Sequence, residues 1–135
     1  MSLQERLESL MHLLEQLAEE SDKGLPIIVE GRRDEEALRK LGIRGSVVLS
    51  KNFGRSLVDV VDYVQKLGDE AIILVDFDRR GQEWAMSLAR NLECAGVTAN
   101  LQFWREFMHV AGRWVKDVEG IPSFIETLKR KVNRF

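Results

Sequence analysis

Cysteine is almost missing from this chain. Cys94 is the one thiol among 135 residues, so no internal disulfide can form. With two histidines and no Cys-x-x-Cys pair, the usual structural zinc arrangements are excluded as well. Cys94 falls on the apolar face of an expected helix and reads as a buried thiol in a reducing compartment, the cytoplasm. No apolar run approaches the roughly 18 residues of a membrane span, and no membrane contact is expected. The first 20 residues carry five glutamates among their leucines, unlike a secretion signal. Positive charge is short too. With 20 Lys and Arg against 22 Asp and Glu, the net charge of −2 is too little for strong, sequence-independent binding to long nucleic acid by electrostatics alone. The charge is uneven, with six acids against two bases in residues 1–23 and seven bases against four acids in residues 105–135. A basic face is therefore compatible with the bland total.

What is present suits one folded domain. The apolar fraction is 44% and the charged fraction 31%, and the length leaves no room for an appended helicase or a second catalytic module. Leu3, Leu7, Leu10, Leu14 and Leu17 recur at spacings of four and three, with Met11 widening the stripe, so residues 3–20 read as an amphipathic helix. Such a stripe is too short for a stable coiled coil. It either packs on this chain's own domain or forms a homodimer contact.

From residue 25 onward apolar strands and amphipathic helices alternate. Leu25–Val29 is a first strand. Asp34–Leu41 is a helix with Asp34 as its N-cap, and Ser46–Leu49 is a second strand. Ser56 caps a helix that places Leu57, Val60, Val61, Val64 and Leu67 on one face. Ala71–Val75 is a third strand, Gly81–Ala95 a helix with Trp84 facing inward, and Val97–Phe103 a fourth strand. Residues 105–120 have no clean period. Pro122 suits the first turn of a last helix, with Ile121, Ile125, Leu128 and Val132 inward and Lys129, Arg130, Lys131 and Arg134 outward. The alternation predicts an α/β, Rossmann-like fold with a four-stranded parallel sheet flanked by helices. Its expected parts are an N-terminal helix (1–23), a central domain (24–120) and a basic C-terminal helix (121–135) packed on that domain.

The chemistry concentrates at strand ends. The β-branched run Ala71–Val75 lacks alternation, as expected of a strand buried on both faces, and it delivers Asp76 and Asp78 to the carboxyl edge of the sheet. If the chain stays extended there, the period of two points both carboxylates the same way. At about 4 Å and an effective dielectric near 20, two such charges repel by about 4 kcal/mol, which favours a shared proton or a bound cation. An all-oxygen site with few ligands suits Mg²⁺, with Mn²⁺ as a substitute. The first strand ends likewise in an acid, Glu30, followed by Gly31, Arg32, Arg33 and Asp34. Because the carboxyl ends of parallel strands share one edge, Glu30 can meet Asp76 and Asp78 across 46 and 48 residues of chain.

Glu-Gly-x-x-Asp after a first strand and Asp-x-Asp-x-x-Gly after a third together resemble the Toprim domain, shared by topoisomerases, bacterial-type primases, the nuclease that matures 5S ribosomal RNA and several small stand-alone proteins. The resemblance covers roughly residues 25–120. It implies that Glu30 is the general acid or base, that Asp76 and Asp78, with Glu30, hold Mg²⁺, and that the substrate is a nucleic-acid phosphodiester. Asp34 matches the last position of the first motif but also suits a helix cap. Arg113, Lys116, Asp117 and Glu119 lie in a segment resembling one found after the fourth strand of small Toprim proteins. Gly31 and Gly81 are either turn formers or points where phosphate approaches backbone N–H groups. Arg32, Arg33, Lys51, Arg55, Arg79 and Arg80 flank the same edge, and with Lys116 they are the candidate phosphate contacts. Trp84, Trp104 and Trp114 read as core residues in preference to base-stacking platforms, and His109 as structural in preference to a base.

The expected activity is a metal-dependent nuclease or phosphoryl transfer on RNA or DNA. The alternative is a non-catalytic, metal-dependent RNA- or DNA-binding module, or a subunit of a larger nucleic-acid-processing complex with a protein partner. A topoisomerase is excluded, since the only tyrosine, Tyr63, lies within a helix. An aspartate-phosphorylating hydrolase would put Asp-x-Asp after the first strand, where this chain has Glu30.

Overall fold

The alternation of strands and helices closes into one sheet. In the computed structural model, which describes residues 1–133, strands β1 (Ile27–Val29), β2 (Val47–Leu49), β3 (Glu70–Ile73) and β4 (Thr98–Asn100) are all parallel, in the order β2-β1-β3-β4. The two inner strands are the β-branched ones: Ile27, Ile28, Val29, Ala71, Ile72 and Ile73 are all buried, as strands covered on both faces must be. The chain runs outward from β1 to β2 on one side and from β3 to β4 on the other. The carboxyl ends of β1 and β3 are therefore the switch point at which open α/β sheets leave a crevice.

Helices α2 (Arg32–Lys40), α3 (Leu57–Leu67) and α4 (Arg79–Cys94) fill the links between strands. Beyond β4 come α5 (Gln102–Ala111), a short 3-10 turn (Val118–Gly120) and α6 (Ile121–Val132), which carries a proline in its first turn as expected. The N-terminal helix α1 (Leu3–Asp22) starts at a reciprocal cap in which the Ser2 hydroxyl accepts from Glu5 N–H and the Glu5 carboxylate accepts from Ser2 N–H. Its Leu10, Leu13, Leu14 and Leu17 are buried, and it packs on α5 and α6. Of the two uses open to the leucine stripe, the chain's own core takes it. Leu3 and Met11 stay exposed at its margin.

Several expectations are corrected. The fourth strand ends at Asn100, whose side chain accepts from Gln102 N–H and starts α5, so Phe103 is helical. Helix α2 starts two residues early, at Arg32, with Gly31 as its N-cap and Asp34 inside its first turn. Helix α4 starts at Arg79 because Asp78, not Gly81, is its boundary. Cys94, at the last residue of α4, is exposed and not a core thiol. Leu67, at the end of α3, is also exposed. Of the three tryptophans only Trp104 is buried; Trp84 is half-buried and Trp114 is half exposed. Arg134, expected on the basic face of the last helix, lies outside the described residues. No helix among those described is long and apolar enough to cross a membrane.

Candidate functional site

The register between the inner strands brings the acids together. Ile27 pairs with Ile72 and Ile28 with Ile73, and the ladder continues as Leu74 N–H donates to the Ile28 carbonyl at 2.8 Å. Carrying that register on puts Glu30 opposite Val75, one residue from Asp76. Trp104 fixes the end of the strand from below, its indole N–H donating to the Val75 carbonyl at 3.1 Å and, more weakly, to that of Asp76 at 3.4 Å. Above it, Phe77 N–H donates to the Lys116 carbonyl at 2.7 Å. This bond draws the 112–118 segment, which showed no period, onto the sheet edge and sets Asp117 beside Asp76.

Asp34 arrives from the first turn of α2. One of its oxygens accepts from Gly31 N–H and the other from Glu119 N–H, both at 3.2 Å, so this buried side chain ties α2 to the 3-10 turn. Asp117 caps that turn, accepting from Gly120 N–H at 3.1 Å. The outcome is a triad: Asp34, Asp76 and Asp117 each present a carboxylate oxygen within 4.8 Å of the others. A carboxylate oxygen that accepts one N–H keeps a second lone pair, so the helix and turn contacts leave the triad able to ligate a cation.

The electrostatics mark Asp76 as the centre. Burial first, and then the charges of Glu30, Asp34 and Asp117, push its carboxyl from 3.8 up to about 7, and a hydrogen bond with the Glu30 side chain adds to the shift. Asp34 is also raised, chiefly by burial and also by the charges of Asp117 and Glu119, while the N–H groups of Gly31 and Glu119 work against the rise. Four carboxyls crowd one sheet edge. The all-oxygen donor set and this repulsion fit a hard divalent cation such as Mg²⁺.

In front of the acids a cleft of about 620 Å³ is lined by Glu30, Asp76 and Asp78, by Lys51, Arg55 and Arg80, and by Gly81 and Trp84. Arg55 reaches to 4.0 Å from the Glu30 carboxylate and holds a left-handed backbone with φ +60°. Gly81 is a packing requirement, since a Cβ there would sit 2.1 Å from the Asp76 carbonyl oxygen. Only a glycine lets α4 approach the end of β3 this closely.

The structure thus brings Glu30, Asp76, Asp78, Lys51, Arg55 and Arg80 to one cleft, and it separates the other candidates. Asp78 is a helix cap, accepting from Gly81 N–H at 2.8 Å, so its carboxylate is partly committed and its residue is exposed. The N–H groups of Gly31 and Gly81, expected to be open to phosphate, are both taken by aspartates. Arg32 pairs with Glu36 at 3.6 Å and Arg79 with Glu83 at 3.5 Å along their own helices, and both are largely solvated. Arg33 pairs with Glu119 at 3.5 Å, and Lys116 lies beside it on a neighbouring groove. Asp34 and Asp117 were weak candidates in the sequence. Their only local signals are their places in the Glu-Gly-x-x-Asp motif and in the Lys-Asp-Val-Glu segment.

The chain is a parallel α/β protein of the Rossmann kind, with an acid cluster at the switch point of its sheet and a cleft of mixed charge in front. No family model matches the chain. It is 35% identical over 126 residues to a UPF0292 protein of Methanosarcina barkeri, covering 93% of this chain and 87% of that one. It is 33% identical over 122 residues to a UPF0292 protein of Methanocaldococcus jannaschii, covering 90% and 93%. The chain belongs to the UPF0292 family. A solved structure of a protein from Aquifex aeolicus matches with a TM-score of 0.66 and 27% identity over 80% of this chain and 94% of that one.

Proposed function

We propose that this chain is a Toprim-type protein that binds Mg²⁺, or Mn²⁺ in its place, and acts on nucleic-acid phosphodiesters as a nuclease or phosphoryl-transfer enzyme. The observation that carries the reading is the convergence of Glu30 with the triad Asp34, Asp76 and Asp117 at the switch point of the sheet, beside Lys51, Arg55 and Arg80. In this reading Asp76 is the central ligand, with Asp34 and Asp117 behind it and Asp78 at the rim. A bound Mg²⁺ would neutralise charge on the non-bridging oxygens of a phosphodiester. Arg55 and Arg80 orient the phosphate from the cleft side by charge and hydrogen bonding, and Lys51 adds a point charge. Glu30 faces the cleft next to Asp76 and moves the proton to or from the oxygen that attacks or leaves phosphorus.

The alternative is a non-catalytic, metal-dependent binding module or complex subunit. It is favoured by the commitment of both Asp34 oxygens to backbone N–H groups, a structural role that needs no turnover. The test is incubation of the purified protein with labelled single- and double-stranded RNA and DNA in Mg²⁺, Mn²⁺ or EDTA. Metal-dependent product that Glu30→Gln lowers by about 10²- to 10⁴-fold supports the enzyme. A metal-dependent gel shift without product supports the module, and neither response in any metal contradicts both.

A further inference from the structure

On the far side of Asp117 from the cleft lies a second groove, of about 850 Å³, between the 113–120 segment and α6. Trp114 forms its wall and is 50% exposed, unusual for so large an apolar side chain. Phe124 of α6 stacks on the indole with centroids 5.5 Å apart and planes 17° from parallel. The Arg6 guanidinium of α1 lies 4.1 Å from the ring centroid. Both groups lie against the indole, which still keeps half its surface open to solvent. Around it stand Arg33, Lys116 and Lys131. Arg33 is held by Glu119, whereas Lys116 and Lys131 have no carboxylate within ion-pair distance among the described residues.

We infer that this groove binds single-stranded nucleic acid, taking an unpaired base onto the open part of the Trp114 indole and the flanking phosphates onto Lys116 and Lys131, and so feeds a single strand, not a duplex, to the acid cluster. The inference rests on the functional reading above and deepens it. An exposed aromatic with cations beside it matches what single strands offer, a base face and a phosphate in alternation, and a duplex keeps its base faces stacked inside. The groove borders the acid cluster, because Asp117 belongs to both the triad and the groove lining. The net charge of −2 also weighs against binding driven by a duplex backbone alone, and base stacking supplies what charge does not.

The test is run in EDTA, so that it does not depend on metal at the acid cluster. Labelled dT and rU oligomers of about 20 nucleotides, and a duplex of the same length, are titrated against the whole protein by anisotropy and by quenching of tryptophan emission. Both single strands should bind and quench, with the duplex at least about 10-fold weaker. Trp114→Ala should weaken single-strand binding by about 10- to 100-fold, while Trp114→Phe keeps most of the affinity. Lys116→Ala with Lys131→Ala, both at exposed positions, should lower the slope of log affinity against log salt by about 1.4. If Trp114→Ala melts the fold, the double lysine variant decides. Equal affinity for duplex, an unchanged salt slope, or no single-strand binding overturns the inference. So does a dimer by light scattering that Trp114→Ala converts to monomer, which would hand the groove to a second copy. Single-strand binding in EDTA by a protein that takes up no Mg²⁺ would leave the groove standing while the metal reading fails.

Discussion

Replacing Asp76 with asparagine removes one charge from a crowded site and keeps the side chain's shape, so its effect on stability can be worked out in sign and size. The carboxyl is pushed from 3.8 up to about 7 in the fold, by burial first and then by Glu30, Asp34 and Asp117. An acid held above its ordinary value binds its proton more tightly in the folded than in the unfolded chain. Between about pH 4 and pH 7 the folded state therefore carries more protons, and stability falls as pH rises through that window before levelling off. Acting in full, the shift corresponds to about 4 kcal/mol. Part of the carboxylate faces the cleft, and solvent screening reduces this to roughly 2 kcal/mol. Asparagine has no such proton to lose. The metal-free Asp76→Asn variant should match the parent near pH 4 and exceed it by roughly 2 kcal/mol near pH 8, or about 6–10 °C in Tm for a chain of this size. Taking the difference between variant and parent at each pH cancels the titration of groups far from the cluster and leaves that of Asp76 and the acids coupled to it. Adding Mg²⁺ should close the gap at high pH, because only the parent gains from binding. Thermal melts followed by circular dichroism test this. A difference of the same size at both pH values, or a variant less stable than the parent near pH 8, would refute the electrostatic reasoning.

Other outcomes follow from the packing around the site. Gly81→Ala puts a Cβ against the Asp76 carbonyl oxygen and must shift α4 or the strand end; a loss of about 1–3 kcal/mol in a denaturant melt, together with weaker Mg²⁺ uptake, is expected. Arg55→Gly relieves the left-handed backbone and should raise stability by up to about 1 kcal/mol while weakening nucleic-acid retention on a gel, since a cation leaves the cleft. Leu10→Asp with Leu14→Asp buries two unpaired charges between α1 and the α5–α6 pair, so light scattering should show unchanged mass where the protein still folds, with a Tm lower by well over about 10 °C. A halved mass with an unchanged Tm would instead make α1 a dimer seam.

Much of the fold was legible in the chain because it is written in local pattern. Unalternating β-branched runs gave β1 and β3, and acids at their ends gave Glu30 and Asp76 at one sheet edge. The leucine stripe gave α1, though not what covers it. What was not legible depends on contacts between distant segments. Asp117 reaches the site through one backbone bond from Phe77 to Lys116, and Asp34 is fixed by Glu119, 85 residues on. Neither leaves a periodic trace. That Asp78 also caps α4 was not legible, because the extended spacing that would align it with Asp76 ends where its carboxylate accepts from Gly81 N–H. The run from Val97 to Phe103 read as a strand throughout, until the Asn100 side chain turned the chain into α5.

Whether the acids at the switch point hold a divalent cation is decided by calorimetric titration of Mg²⁺. One binding event is expected in the parent protein, lost in Asp76→Asn, weakened in Asp34→Asn and Asp117→Asn, and largely kept in Glu30→Gln. No Mg²⁺ binding by the parent, or the same affinity in all four variants, would contradict it.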